Sequence, residues 1–143
     1  MKRKRQQRKG FTLVELLVVI VIISMLAALV APNLFKHLVK ARRDLCPAKM
    51  AVIEDALQRF SIDCGRFPDD TEGLEALVTA PEDVADKWNG RYLKPSQLND
   101  PWGNPFIYIS QGEFNPGSYD LISLGADGQE GGEGDYEDIV NGQ

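Results

Sequence analysis

Residues 10–19 read GFTLVELLVV, and the carboxylate of Glu15 inside that run decides how the rest of the chain is read. From Phe11 to Ala31 the only polar residues are Thr12, Glu15 and Ser24. A helix of that length, rising about 1.5 Å per residue, crosses a hydrocarbon core roughly 30 Å thick. A charged residue within it costs about 2.5–3.5 kcal/mol at a helix centre, so Glu15 is expected to have a partner or a function. Ahead of the run stand Lys2, Arg3, Lys4, Arg5, Arg8 and Lys9. Such a basic end stays cytoplasmic by the positive-inside rule, which places everything after Pro32 on the far side of the membrane. The small residues Ala27, Ala28 and Ala31 leave ordinary signal-peptide cleavage as an alternative to an anchor.

The 143 residues suffice for one domain besides that segment. The 16 Lys and Arg and 21 Asp and Glu are unevenly spread: six of the basic residues lie in the leader, and none follows Lys94. The body is therefore acidic, which argues against nucleic acid as a partner and for a cation.

Past Pro32, expected to kink a continuing helix, NLFKHLVKARRDL is amphipathic, and Met50, Ile53, Leu57 and Phe60 recur at helical spacing. That face is predicted to pack on a sheet, with the helix kinked but continuous at Pro47. Alternatively, Asp44 to Cys46 break it and Pro47 starts a new helix. Eighteen residues of helix separate Cys46 from Cys64, about 27 Å, whereas a disulfide needs Cα atoms roughly 4.4–6.8 Å apart. Free thiols are expected. Gly65 and Pro68 end the helix, and Thr71 is predicted to cap a short one from Glu72 to Val78. Residues 106–110 and 119–124 read as antiparallel strands joined by a turn over Gly112 to Gly117. Trp88 and Trp102 are read as core or sheet-edge residues. His37, the only histidine, is read as a surface residue of the helix.

The leader, Gly10 and then Phe11-Thr12-Leu13-Val14-Glu15 before an apolar run resemble the signal of type IV pilins and the pseudopilins of type II secretion. GRFP at 65–68, TEGLEALV at 71–78, DPWGNPFIY at 100–108 and SYDLISLGADG at 118–128 extend the likeness to the major pseudopilins. The resemblance implies an α+β, pilin-like fold in which a long N-terminal transmembrane helix packs on a small antiparallel sheet. It implies a leader at 1–10 removed by a prepilin peptidase, a membrane and filament-core helix at 11–31, and a periplasmic domain at 32–143. Cleavage after Gly10 would free the amine of Phe11 for methylation, and Glu15 would pair with that amine on a neighbouring subunit. Leu13, Val14, Leu16 and Leu17 would supply packing area in a homopolymeric filament. The further partners implied are minor pseudopilins, an inner-membrane platform and its ATPase.

The stretch LGADGQEGGEGDYEDI, 124–139, holds Asp127, Glu130, Glu133, Asp135, Glu137 and Asp138 with five glycines and no basic residue. It reads either as a solvated acidic tail or as a Ca²⁺ loop, since calcium takes six to eight oxygens in flexible geometry. EF-hand spacing is absent. The resemblance favours calcium. It implies Asp127, Glu137 and Asp138 as side-chain ligands and Leu124 and Gln129 as carbonyl donors, with Asp135 the alternative to Glu137.

Two other readings compete with a secretion pseudopilin. A type IV pilin of a surface fibre commonly has a disulfide near its C-terminus, but here both cysteines precede residue 65. A membrane-anchored calcium-dependent hydrolase has little to stand on, because no histidine lies beyond residue 40 and no carboxylate pair sits in a catalytic context. A structural subunit, not an enzyme, is the expectation.

Overall fold

A computed structural model describes residues 10–142, without the side chains of 31–35 and of Asp135; the basic leader, 1–9, lies outside the described residues. Helix α1 spans Leu13–Cys64, and the chain divides into two units, Met1–His37 and Leu38–Gln143. The helical assignment runs unbroken through Pro32 and Pro47, so the continuous-helix expectation at Pro47 holds and Asp44 to Cys46 start no new element.

In the first unit Leu13–Val30 has a mean hydropathy of 3.0, with none of it buried. Leu29 is 76% exposed and Met25 71% exposed, so this stretch has no protein core to explain its composition. By length and composition it suits a bilayer.

In the second unit one stripe of α1 is buried: Cys46, Met50, Ile53, Leu57, Phe60 and Cys64. The predicted stripe is therefore the observed one, extended by a cysteine at each end. These residues share one core with Leu74, Leu77, Phe106, Tyr119 and Leu121. Trp88 packs against that core and donates from Nε1 to the Ala76 carbonyl at 2.9 Å; Trp102 packs against it as well.

The sheet has the order β1 (Ile107–Ile109), β2 (Asp120–Ser123) and β3 (Ile139–Val140), antiparallel throughout. The first two strands lie inside their expected ranges. The third was not anticipated, because two residues at the end of an acidic run carry no period. Register pairs Tyr108 with Leu121 and, two steps across, Ile107 with Ile122 and Ile122 with Val140. Alternation therefore puts Leu121 on the helix side and Ile107, Ile122 and Val140 on the opposite face.

Thr71 does not cap an α-helix: the element is a 3₁₀ turn, Gly73–Leu77, and Asp69 is the acceptor at its entry. The Thr71 N–H, its hydroxyl and the Glu72 N–H all donate to Asp69 Oδ1, at 2.8, 2.6 and 2.9 Å. A carboxylate two residues upstream outcompetes a hydroxyl for those donors. Arg66 donates to both carboxylate oxygens of Glu72 and to Asp83, fixing this segment beside the end of α1.

The turn between β1 and β2 is built around Asp120, which is fully buried. Its carboxylate accepts from the backbone N–H groups of Glu113, Phe114 and Asn115 at 2.7, 2.9 and 2.9 Å, and from the Asn115 side chain at 2.9 Å. Burial pushes its pKa up, but these donors outweigh burial and hold the carboxyl below its ordinary range. A Cβ on Gly112 would lie 2.7 Å from Asp120 Oδ1 and 2.8 Å from the Asn115 carbonyl, so only glycine closes the turn.

Asp120→Asn and Gly112→Ala should each destabilise the folded domain, Asp120→Asn by on the order of 3 kcal/mol. The Asp120 contribution is complete above the unfolded carboxyl pKa, about 3.9, and is lost as pH falls through the lower native value. Melting temperature against pH should consequently steepen below about pH 4 in the parent chain and be flatter in Asp120→Asn. Cys46 and Cys64 are free and buried, with burial first among the causes that raise both thiol pKa values. A thiol reagent should leave both unlabelled in the folded chain and label both in denaturant; an intramolecular disulfide by mass would contradict the structure.

Candidate functional site

At the start of α1, Thr12 and Glu15 satisfy one another. The Thr12 N–H and hydroxyl donate to Glu15 Oε2 at 2.8 and 2.9 Å, and the Glu15 N–H donates to Thr12 Oγ1 at 3.2 Å. This is a capping box, in which two otherwise unpaired amides at a helix end are satisfied reciprocally. Glu15 thus has a local partner that the sequence reading did not foresee. Gly10 and Phe11 lie just ahead of the cap and are exposed.

The second candidate region is the acidic loop between β2 and β3. Its base is locked by a buried polar network. Asp100 accepts from the Trp102 and Asn104 N–H groups at 3.0 and 2.9 Å, and from the Ser123 hydroxyl at 2.7 Å. Asn104 Nδ2 donates to the Gly125 carbonyl at 3.3 Å, and Lys49 Nζ donates to the Asn99 carbonyl at 2.7 Å. The DPWGN segment is therefore the buttress that fixes where the loop leaves the sheet.

Within the loop, Asp138 Oδ2 accepts from the Gly131 N–H at 2.8 Å, while its Oδ1 is buried with no hydrogen-bond partner. Asp127 Oδ1 accepts from the Gln129 N–H at 3.2 Å. Gly132 has φ +95°, and a Cβ there would collide with the Tyr136 carbonyl, so the loop folds back on itself at that point. Leu124, Glu130 and Asp138 line one cleft of about 420 Å³ over the Ile107, Ile122 and Val140 face of the sheet. Glu133 is exposed; the side chain of Asp135 lies outside the described residues.

The expectation of a loop with no compensating cation holds for its own sequence and fails in space. Arg43, on α1, donates from Nη1 to the carbonyls of Gly134 and Glu137 at 2.6 and 3.2 Å, and from Nη2 to Glu137 Oε2 at 2.9 Å. Nothing in the sequence pairs a helical arginine with residues 91 and 94 positions away. Glu130 is exposed and lines the same cleft.

Among the described residues no group of three or more His, Cys, Asp or Glu is assembled for a metal. The donors that are present are all oxygens. The orphaned Oδ1 of Asp138 is the observation that suits a hard cation: a buried carboxylate oxygen without a donor is costly unless something positive reaches it. Asp127 and the carbonyls of Leu124 and Gln129 lie on the same glycine-bent loop.

Comparison with known proteins agrees with this architecture. The family described as "Type II secretion system (T2SS), protein G" matches residues 33–142, and the "Prokaryotic N-terminal methylation motif" matches residues 5–31. A Vibrio cholerae protein, "Type II secretion system core protein G", is 43% identical over 143 residues, covering 99% of this chain and 95% of that one. Its Escherichia coli K12 counterpart of the same description is 40% identical over 142 residues, covering 97% and 94%. The crystal structure of the major pseudopilin from the type 2 secretion system of enterohaemorrhagic Escherichia coli superposes with a TM-score of 0.61 at 27% identity, over 77% of this chain and 94% of that one. With matches that run almost its whole length, the chain belongs to the protein G family of type II secretion, the major pseudopilins.

Proposed function

We propose that this major pseudopilin is cut after Gly10 by a prepilin peptidase, methylated on Phe11 and polymerised into a periplasmic filament that drives protein export across the outer membrane. The observation that carries the reading is the apolar span Leu13–Val30, none of it buried and opening directly on the Thr12–Glu15 cap, within a match to the N-terminal methylation motif. The chain would sit in the inner membrane once, N-terminus cytoplasmic, until extracted into the filament. Its role is structural and not enzymatic. Its partners are further copies of itself, minor pseudopilins, an inner-membrane platform with its ATPase, the peptidase and the lipid bilayer.

In that filament Glu15 exchanges its local cap for the α-amino group of a neighbour's Phe11, and Leu13, Val14, Leu16 and Leu17 pack between helices. The acidic loop of the same subunit takes up Ca²⁺ through the carbonyls of Leu124 and Gln129, the carboxylates of Asp127 and Asp138, and one of Glu137 or Asp135. Bound there, calcium would supply charge neutralisation to a loop whose carboxylates otherwise repel. The buried Asp138 Oδ1 supports this assignment.

Co-expression with a prepilin peptidase should yield an intact mass lacking residues 1–10 and carrying one added methyl. Glu15→Val should be processed and membrane-inserted yet fail to assemble; normal filaments from that variant would sink the pairing. Calcium should raise the melting temperature, since a ligand binding only the native state adds roughly 2.7 kcal/mol at a hundredfold excess over Kd. Magnesium should substitute poorly, given its demand for octahedral geometry. Asp127→Ala and Asp138→Ala should remove most of the shift and Glu133→Ala little of it, while no shift at millimolar calcium would return the loop to a solvated tail.

A further inference from the structure

We propose that Arg43 is the positioning residue of the acidic loop. Its guanidinium serves as a built-in cation that clamps Gly134 and Glu137, leaving Asp138 as the member of the acidic pair free to ligate a cation. The inference rests on the calcium reading for its second half and on geometry alone for its first.

Three contacts of two kinds converge on one side chain. Nη1 takes the Gly134 and Glu137 carbonyls at 2.6 and 3.2 Å, and Nη2 takes Glu137 Oε2 at 2.9 Å. A surface ion pair alone is worth little. Here the Arg43 side chain is only 29% exposed, and the planar fork meets two carbonyls as well as the carboxylate, which fixes the backbone and not merely a charge. The clamped stretch is the 3₁₀ turn Gly134–Tyr136, whose own backbone bonds, among the described residues, are the long ones from the Tyr136 and Glu137 N–H groups, at 3.3 and 3.4 Å. So weak a turn needs an external post, and α1 provides one.

The clamp also sorts the two adjacent carboxylates. Glu137 is committed to the guanidinium, and a divalent cation ligated there would face a like charge at close range. Asp138 is turned the other way: Oδ2 is anchored by the Gly131 N–H, and Oδ1 is buried and unpartnered beside Leu124 and Glu130. Residue order then makes sense of the pair. The first carboxylate is spent on orientation, and the second is what that orientation presents.

The test uses the full-length chain in detergent. Hydrogen exchange at the Gly131, Tyr136 and Glu137 amides is measured without calcium, and calcium is then titrated by calorimetry. Arg43→Gln and Glu137→Gln should each speed calcium-free exchange at these amides roughly tenfold or more, with exchange at Leu121 unchanged as proof that the core is folded. Arg43→Lys should recover only part of the protection, because a point charge cannot span both carbonyls and the carboxylate. The calcium Kd should move by less than about threefold in Glu137→Gln and by more than about thirtyfold in Asp138→Asn. Unchanged exchange in Arg43→Gln overturns the clamp. Loss of calcium in Glu137→Gln as complete as in Asp138→Asn overturns the sorting of the pair. A parent chain that takes up no calcium removes the calcium reading and the ligand assignment with it, while the exchange arm still decides the clamp.

Discussion

The buried stripe of α1 from Cys46 to Cys64 is the constraint on which the second unit depends. Three strands of two to four residues cannot stabilise themselves; a sheet this small needs a helix to cover one face. Ile53, Leu57 and Phe60, all fully buried, supply that cover, at roughly 1.5–3 kcal/mol for each side chain taken out of water. The 3₁₀ turn Gly73–Leu77 contributes Leu74 and Leu77 to the same core, and Leu121 reaches it from the sheet. Because the helix is one piece, its buried stripe also fixes where Arg43 and Lys49 stand, and these two cations hold the chain around the loop.

An acidic body folds here by spending its carboxylates on backbone amides. Asp69, Asp100 and Asp120 each accept from two or more N–H groups. Each carboxylate replaces a strand or helix partner that short elements cannot provide, and charge-assisted bonds of this kind are the stronger ones. Composition gives the net charge but is blind to this division of labour. Asp100 and Asp120 are buried in the fold, whereas Asp127 and Glu133 lie toward solvent in the loop.

What was legible in the sequence follows the same line. Period and residue type revealed α1, its core face, the two longer strands and the free thiols, since each rests on many residues or on reach along one element. The capping of 69–73 was misread because Thr71 is the customary signal, while a nearer and stronger acceptor lay two residues earlier. β3 was missed because its two residues acquire strand geometry only by pairing with Ile122 and Ser123. In the loop, the carboxylates were visible but their orientation was not. Arg43 enters from a helix, and the buttress is a DPWGN segment whose role exists only where Ser123 and Gly125 meet it. Family likeness named candidate ligands; only geometry separates Glu137 from Asp138.

Glu15 poses the remaining question of magnitude. A carboxylate costs about 2.5–3.5 kcal/mol at the centre of a membrane helix and less toward its end, and a capping interaction returns on the order of 1 kcal/mol. Near the start of α1 these are comparable, so on the proposed reading, with Glu15 at the membrane boundary, the Thr12 cap suffices for the anchored subunit. It does not suffice once apolar neighbours surround that end and water is excluded, because the cost of the charge then rises while the cap is unchanged. On the proposed reading a cation becomes necessary only in that packed state. On the proposed reading the same residue is therefore tolerable in the anchored monomer and demanding in the filament, which makes its position two residues inside the helix a means of favouring assembly in one register over indiscriminate apolar packing.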